Sequence, residues 1–286
     1  MGHHYLDGMV RTHPYKRVVA LLGESAGGAG AANVGPGTLE EIADATLTAS
    51  DEGLERAKAD EGLTYCLYLL TEITRAARQT NFATALQQAG LPSPGPEIGA
   101  GPQKTPTGEA EYTVFDLVGS FSSAVDRHLR QSRGRTDIGE MAQMAAAESL
   151  TALCTTRAAT LFGSTEQSVQ HSLRQFSTQK GFATLAHDFF SRLARRYLEY
   201  HLSRELSNHV GGNRRFASVN EHNEFLAQLD TYCRVSAGIV RKFAGDWYSV
   251  HNFKDDITLE KTRGFAAHAI DKMRVALSYQ GGGGDA

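Results

Sequence analysis

The sequence predicts an all-α protein, a multi-helix bundle built around one long central helix at residues 181–209. Two observations carry this prediction. Residues 182–210 contain neither Pro nor Gly, and their apolar side chains recur at helical spacing. In addition, the capping-box pattern, in which Ser or Thr is followed three residues later by Glu or Gln, occurs at Thr38, Ser164 and Ser218.

The central helix should be roughly 40 Å long, at about 1.5 Å per residue. Gly211 and Gly212 then supply the residue type that most often ends a helix. One face is apolar, so other helices are expected to pack against it. That face is formed by Phe182, Leu185, Phe189, Leu193, Tyr197 and Tyr200.

The opposite face of this helix carries His187, His201, Glu205 and His209, spaced so that they fall near one line. Imidazole nitrogens and a carboxylate together suit a transition metal, and His201, Glu205 and His209 are the candidate ligands. The alternative is a solvated helix face with a Glu205–His209 pair. No other cofactor is predicted.

The division of the rest of the chain is predicted from the positions of Pro and Gly, which interrupt helices, and from local composition. Residues 1–37 are expected to be a flexible Gly-rich segment, residues 38–90 a small helical unit, residues 91–112 a Pro/Gly linker, residues 113–279 the main bundle, and residues 280–286 a disordered tail. A break around residues 245–247 is expected to separate the last two helices.

Within the first segment, RVVALL at residues 17–22 is compatible with a short strand. It runs into GESAGG, whose letters resemble the nucleophile elbow of a carboxylesterase around Ser25. The elbow requires earlier strands and an oxyanion-hole loop, and only a short stretch precedes Ser25. The sequence therefore predicts a small-residue arm here, not a nucleophile.

Composition indicates a protein able to fold alone, with 286 residues, 41% hydrophobic content and a net charge of −3. The second part of the chain is mildly basic. Its densest positive patch could meet nucleic-acid phosphates or an acidic protein, although solvated helix charges are the common alternative. The candidate contact residues of this 192–215 patch are Arg192, Arg195, Arg196, Arg204, Arg214 and Arg215.

The three cysteines, Cys66, Cys154 and Cys233, are far apart and lie in apolar helical contexts, so they are predicted to be small buried side chains. This usage fits a reducing cytoplasm. No apolar run is long enough for a membrane span or a signal peptide. A cytoplasmic protein without membrane contact is expected.

Several Arg–His pairs at helical positions give the chain a motif-level resemblance to HEPN-type ribonucleases. The densest is RELSNH at residues 204–209. The resemblance implies that His209 handles a proton and Arg204 steadies phosphate charge. Either Glu205 or Asn208 would then orient the imidazole. The alternative is that His209 simply ends the helix at its negative pole.

The segment DWYSVHNF at residues 246–253 holds the only Trp of the chain. If it forms a loop, Trp247 and Tyr248 could anchor a partner, or they could fill a gap between the last two helices. The function expected from all these patterns is a non-catalytic scaffold or adaptor subunit with a protein partner or a homo-oligomeric form. A ribonuclease and a metal-binding bundle are the alternatives.

Overall fold

Helices make up the regular secondary structure of the chain in a computed structural model that describes residues 13–23, 36–92, 113–132, 134–155, 166–211, 215–216 and 218–278. Within these residues there is no named strand, which confirms the all-α prediction. The α-helices are α1 (His13–Gly23), α2 (Pro36–Ala49), α3 (Asp51–Ala57), α4 (Glu61–Ala76), α5 (Phe82–Gln88), α6 (Val114–Gln131), α7 (Asp137–Thr155), α8 (Glu166–Arg174), α9 (Gln179–Leu206), α10 (Val219–Ser236), α11 (Gly238–Phe253) and α12 (Leu259–Ser278).

The long helix α9 corresponds to the predicted central helix, and a 3-10 turn, Ser207–His209, continues it to the expected end. Its predicted apolar face is buried from Phe182 to Tyr197. Phe190, Leu198 and Leu202 are buried as well, although they point in other directions around the helix. Burial on more than one side is what a helix at the centre of a bundle requires.

The chain divides into two units that are discontinuous in sequence. The first contains α1 to α3, the later part of α9, α10 and the end of α12. In this unit the Tyr197 hydroxyl donates to the Ser50 carbonyl (3.1 Å), and the Tyr232 hydroxyl donates to the carbonyl of Leu277. Because these aromatic side chains are buried, the hydrogen bonds satisfy polar groups that would otherwise be costly in the core.

The second unit contains α4 to α8, the beginning of α9, most of α11 and the start of α12. Here α4 and α7 approach closely, since a Cβ built on Gly62 would lie 2.8 Å from the Cα of Gly139. The buried Asp60 carboxylate caps α4 by accepting from Leu63 N (2.8 Å) and also accepts from the Thr136 hydroxyl (2.6 Å). One side chain therefore fixes the starts of two helices.

Two local expectations are wrong. Residues 17–22 form part of the α1 helix, and Tyr15, Val18 and Leu22, at i, i+3 and i+7, are buried along one side of it. The expected break at residues 245–247 is also absent, because α11 runs through it. Gly245 instead allows close packing: a Cβ there would lie 2.6 Å from the carbonyl oxygen of Gln179.

Other sequence predictions agree with the structure in part or fall outside the described residues. The helical unit predicted from residue 38 begins slightly earlier, at Pro36, a residue well suited to a first helical turn, and its first two helices are separated at Ser50. The predicted cap at Ser218 is confirmed, since its hydroxyl accepts from Glu221 N (3.3 Å). Ser25, most of the predicted linker and the Gly-rich tail lie outside the described residues.

Candidate functional site

His201, the centre of the predicted polar face, is a core residue. Its side chain is only 2% exposed, and its ring makes edge contacts with Tyr197 (4.6 Å between centroids) and Tyr200 (5.1 Å). Its backbone carbonyl accepts from the Tyr15 hydroxyl (3.4 Å). The expectation that His201 lies on a solvated helix face is therefore wrong, because other helices surround α9 at this level.

The remaining members of that face are distributed over the two units. His187 lies in the second unit, where the Arg241 guanidinium donates to its Nδ1 (3.0 Å). Glu205 and His209 are half-exposed in the first unit. Among the described side chains, no group of three His, Cys, Asp or Glu residues is arranged to hold a metal ion. The ligand set His201, Glu205 and His209 stays a prediction from spacing.

The predicted basic patch is partly used for internal contacts. Arg195 pairs with Glu199 (2.8 Å) and Asp230 (3.4 Å), and its hydrogen bond to Glu199 raises the pKa of the guanidinium further. Arg215 is buried and donates to the Leu21 carbonyl (2.6 Å). Neither is a free cation for nucleic-acid phosphates.

The other arginines of the patch divide into two pairs. Arg192 and Arg196 are half-exposed on α9. The Arg204 side chain and Arg214 lie outside the described residues. The proposed roles of Arg204, Glu205 and His209 in a ribonuclease therefore remain a prediction.

Trp247 and Tyr248 lie on α11, not in a loop, and adjacent helical positions point about 100° apart. The Tyr248 ring is buried and stacks on Phe182, with 4.4 Å between ring centroids, while its hydroxyl accepts from Thr74 (3.4 Å). Tyr248 is therefore not part of a surface, which corrects its assignment as a contact residue. Trp247 is half-exposed and stacks on Phe265 at 4.5 Å.

The exposed side of α11 carries a row of apolar side chains that we call the α11 ridge: Trp247, Val250 and Phe253. Each is three residues from the next, so the row follows an i±3 line over the helix surface. Val250 is 48% exposed and Phe253 is 90% exposed. Tyr248 therefore fills the interior while Trp247 begins an exposed row, and the anchoring of a partner stays a prediction.

The turn that follows Phe253 is tightly defined. The Asp255 amide donates to the Asn252 carbonyl (3.3 Å), and the Asp256 amide donates to the His251 carbonyl (3.1 Å), which is the pattern of a Schellman motif. Asp255 occupies the left-handed position, with φ of 50°. Gly is the usual residue at this position and Asp is less common there, so contacts that support the turn add to its stability.

Side-chain contacts supply that support. The Asp255 carboxylate pairs with Arg75 of α4. The Asp256 carboxylate accepts from His251 Nδ1 (2.7 Å) through one oxygen and from the Lys261 ammonium through the other. The end of α11, the turn and the first turn of α12 are thereby tied together, and the position of Phe253 is fixed from both sides.

A groove of about 430 Å³ lies beside this turn in the second unit, and Arg75, the partner of Asp255, belongs to its wall. Most of the remaining lining is polar and uncharged, with amide and hydroxyl groups that both donate and accept hydrogen bonds. The side chains of this kind are Gln79, Thr80, Asn81, Thr84 and Gln88. The ridge and the groove are thus two surface features of the second unit that lie near this turn.

The ion pairs of Asp256 lead to a pH prediction. Hydrogen bonds from Lys261 and then His251 hold the pKa of this carboxyl below its usual 3.8. A lowered folded-state pKa means that the stabilisation is present above the unfolded value and is lost as the pH falls through the lowered one. A carboxyl-carbon NMR titration should place the pKa of Asp256 below 3.8, and Lys261→Met should bring it back up. Lys272→Met, an exposed change on the same helix, should leave it unchanged.

No protein-family model, curated protein or solved structure matches the chain. None of the described helices combines the length and apolar character needed to cross a bilayer. The α11 ridge and its surroundings are therefore the basis for a functional proposal.

Proposed function

We propose that the protein is a non-catalytic helical scaffold or adaptor subunit of a protein assembly, and that the α11 ridge is a contact surface. The observation that carries the proposal is Phe253, which is 90% exposed yet followed by a turn that several contacts fix. A large aromatic side chain that stays in water contributes no burial free energy to the fold, and that free energy is available for contact with a partner.

The free energy that burial of the Phe253 side chain could contribute to binding supports a contact role. An aromatic side chain buries about 150–250 Å² when it is enclosed, and at about 25 cal/mol per Å² this corresponds to roughly 4–6 kcal/mol before the costs of association. Residues with such a gain at the centre of an interface are its hot spots. Val250 and Trp247 would extend the contact along the helix.

Rigidity also favours this role. A side chain that must be ordered on binding loses conformational entropy, about 0.5–1.5 kcal/mol for a rotamer-rich residue. The Schellman motif, the Arg75–Asp255 pair and the His251–Asp256 bond order the backbone beneath Phe253 in advance. Less of the binding free energy is then spent on ordering.

Phe253→Ser is the direct test. We expect native mass spectrometry of the chain purified from its own host to show stoichiometric partners, or a homo-oligomer, for the unaltered protein. The variant should lose most of this association, because a hot-spot truncation costs about 2 kcal/mol or more, a factor of about 30 in affinity. Its circular dichroism spectrum should not change, since the side chain is exposed.

Val219→Ser is the matched control, an exposed apolar residue (64%) on α10 in the other unit. It should keep all partners. A monomer without partners, or equal loss of partners in both variants, would contradict the proposal.

A further inference from the structure

We infer that the partner presents an amphipathic helix whose apolar stripe packs on the α11 ridge and whose margins carry carboxylates. This inference rests on the proposed contact function and adds the chemistry of the partner. Its supports are the spacing of the ridge, the charges at its two ends and the carboxylate between them.

The spacing favours a helix as the occupant. Trp247, Val250 and Phe253 form one i±3 row, and such rows fit into the grooves between side-chain rows of another helix, with axes about 8–10 Å apart. Phe265 stacks on Trp247 from beneath, with 4.5 Å between the ring centroids, so the first residue of the ridge has a packed base. A partner helix would offer apolar residues at i, i+3, i+4 and i+7 to this row.

The charges favour an acidic partner. Lys242 and Lys254 are exposed on α11 and just after its end, and neither forms an ion pair within the part of the chain that the structure describes. At 100° per residue, Lys242 is within about 20° of the direction of Phe253, and Lys254 is within about 20° of Trp247. Both lysines therefore lie on the ridge side of α11.

The distance between these lysines sets the expected spacing of carboxylates on the partner helix. They are twelve positions apart, about 18 Å along the axis. Two carboxylates about three turns apart on a partner helix would match them, and both would gain attraction without being buried.

An anionic lipid surface is the other occupant that Lys, Trp and Phe could suit. Asp246 argues against it. This exposed carboxylate lies on the same side of α11, between Val250 and Phe253 in direction, and is fixed by Gln179 Nε2 (2.5 Å). It would be pressed against lipid phosphates, whereas a partner helix can place a neutral or basic residue opposite it.

The only Trp of the chain, Trp247, lies in the ridge, so its fluorescence reports binding directly. The probes are two synthetic helical peptides of about five turns with the same Leu stripe, one with Glu and one with Lys at the margins. We expect the Glu peptide to shift the emission to shorter wavelength and to bind about tenfold more tightly than the Lys peptide at low salt. The preference should shrink as salt screens the exposed pairs.

Variants separate charge from apolar contact. The double variant Lys242→Glu with Lys254→Glu should reverse the preference between the peptides, and Phe253→Ser should weaken both. Val219→Ser should change neither. Equal affinity for the two peptides, or binding to phosphatidylglycerol vesicles without binding to the Glu peptide, would overturn the inference.

The two proposals can fail separately. If Phe253→Ser removes natural partners but the Glu peptide does not bind, the partner chemistry is wrong and the contact function stands. If the purified protein has no partner and neither peptide binds, both are wrong.

Discussion

Gly181→Ala should destabilise the protein by about 3 kcal/mol or more, a large effect for the addition of one methyl group. A Cβ at this position would lie 1.9 Å from the carbonyl oxygen of Gln175 and 2.8 Å from the Cα of Phe176. Both obstacles are backbone atoms, so no rotamer change can make room. The turn that leads into α9 would have to move, and Phe182 beside it is in the core.

The measurement is urea unfolding, followed by far-UV circular dichroism, with a lower midpoint expected for the variant. Gly264→Ala is the control because Gly264 is an exposed helical glycine of α12, and a Cβ added there would meet no heavy atom within 4 Å. There the same substitution should stabilise by about 0.5–1 kcal/mol, since Ala is the better helix former. Equal urea midpoints for the two variants would show that the backbone around Gly181 has room for a Cβ.

The role of a glycine depends on its three-dimensional neighbours, which the sequence pattern does not reveal. The absence of breakers over residues 182–210 is enough to predict α9 nearly to its ends, because helix continuity is a local property. Gly245 looks like a breaker by the same logic and is instead a packing position inside α11. The atom that requires it, the Gln179 carbonyl oxygen, belongs to a different helix, and no local pattern encodes that neighbour.

The candidate site shows the same limit. Helical spacing places His201 on one line with Glu205 and His209, but spacing does not say what packs against that line, and His201 is in the core. The aromatic residues at 246–253 do mark that segment as a candidate surface. Taken as a loop, however, the segment gives no way to separate Tyr248, which faces inward, from Trp247.

Phe253, the residue on which the proposed function rests, is not singled out by the sequence patterns. The signal is present in the i, i+3, i+6 spacing of Trp247, Val250 and Phe253, which becomes a ridge once the segment is recognised as helical. The turn that fixes the position of Phe253 is harder to predict from the sequence. An Asp in the left-handed conformation is uncommon, and Arg75, its ion-pair partner, is far away in sequence.

Phe182→Ala should also be strongly destabilising, with an expected loss of about 3–5 kcal/mol in the free energy of unfolding. The ring is buried at the start of α9 and lies against three other aromatic side chains. It stacks on Tyr248 at 4.4 Å and approaches Trp247 at 6.0 Å and Phe265 at 6.4 Å, between centroids. Removing it leaves a cavity that these rigid rings cannot fill.

Trp247 makes this prediction measurable in two ways. Urea unfolding followed by circular dichroism gives the loss of stability, and the emission of Trp247 in the folded variant reports whether water has reached the cavity. Phe115→Ala, a half-exposed Phe on α6 in the same unit, should cost no more than about 0.5 kcal/mol and leave the emission unchanged. If Phe182→Ala proved as mild as Phe115→Ala, the aromatic cluster of Phe182, Trp247, Tyr248 and Phe265 would not be tightly packed.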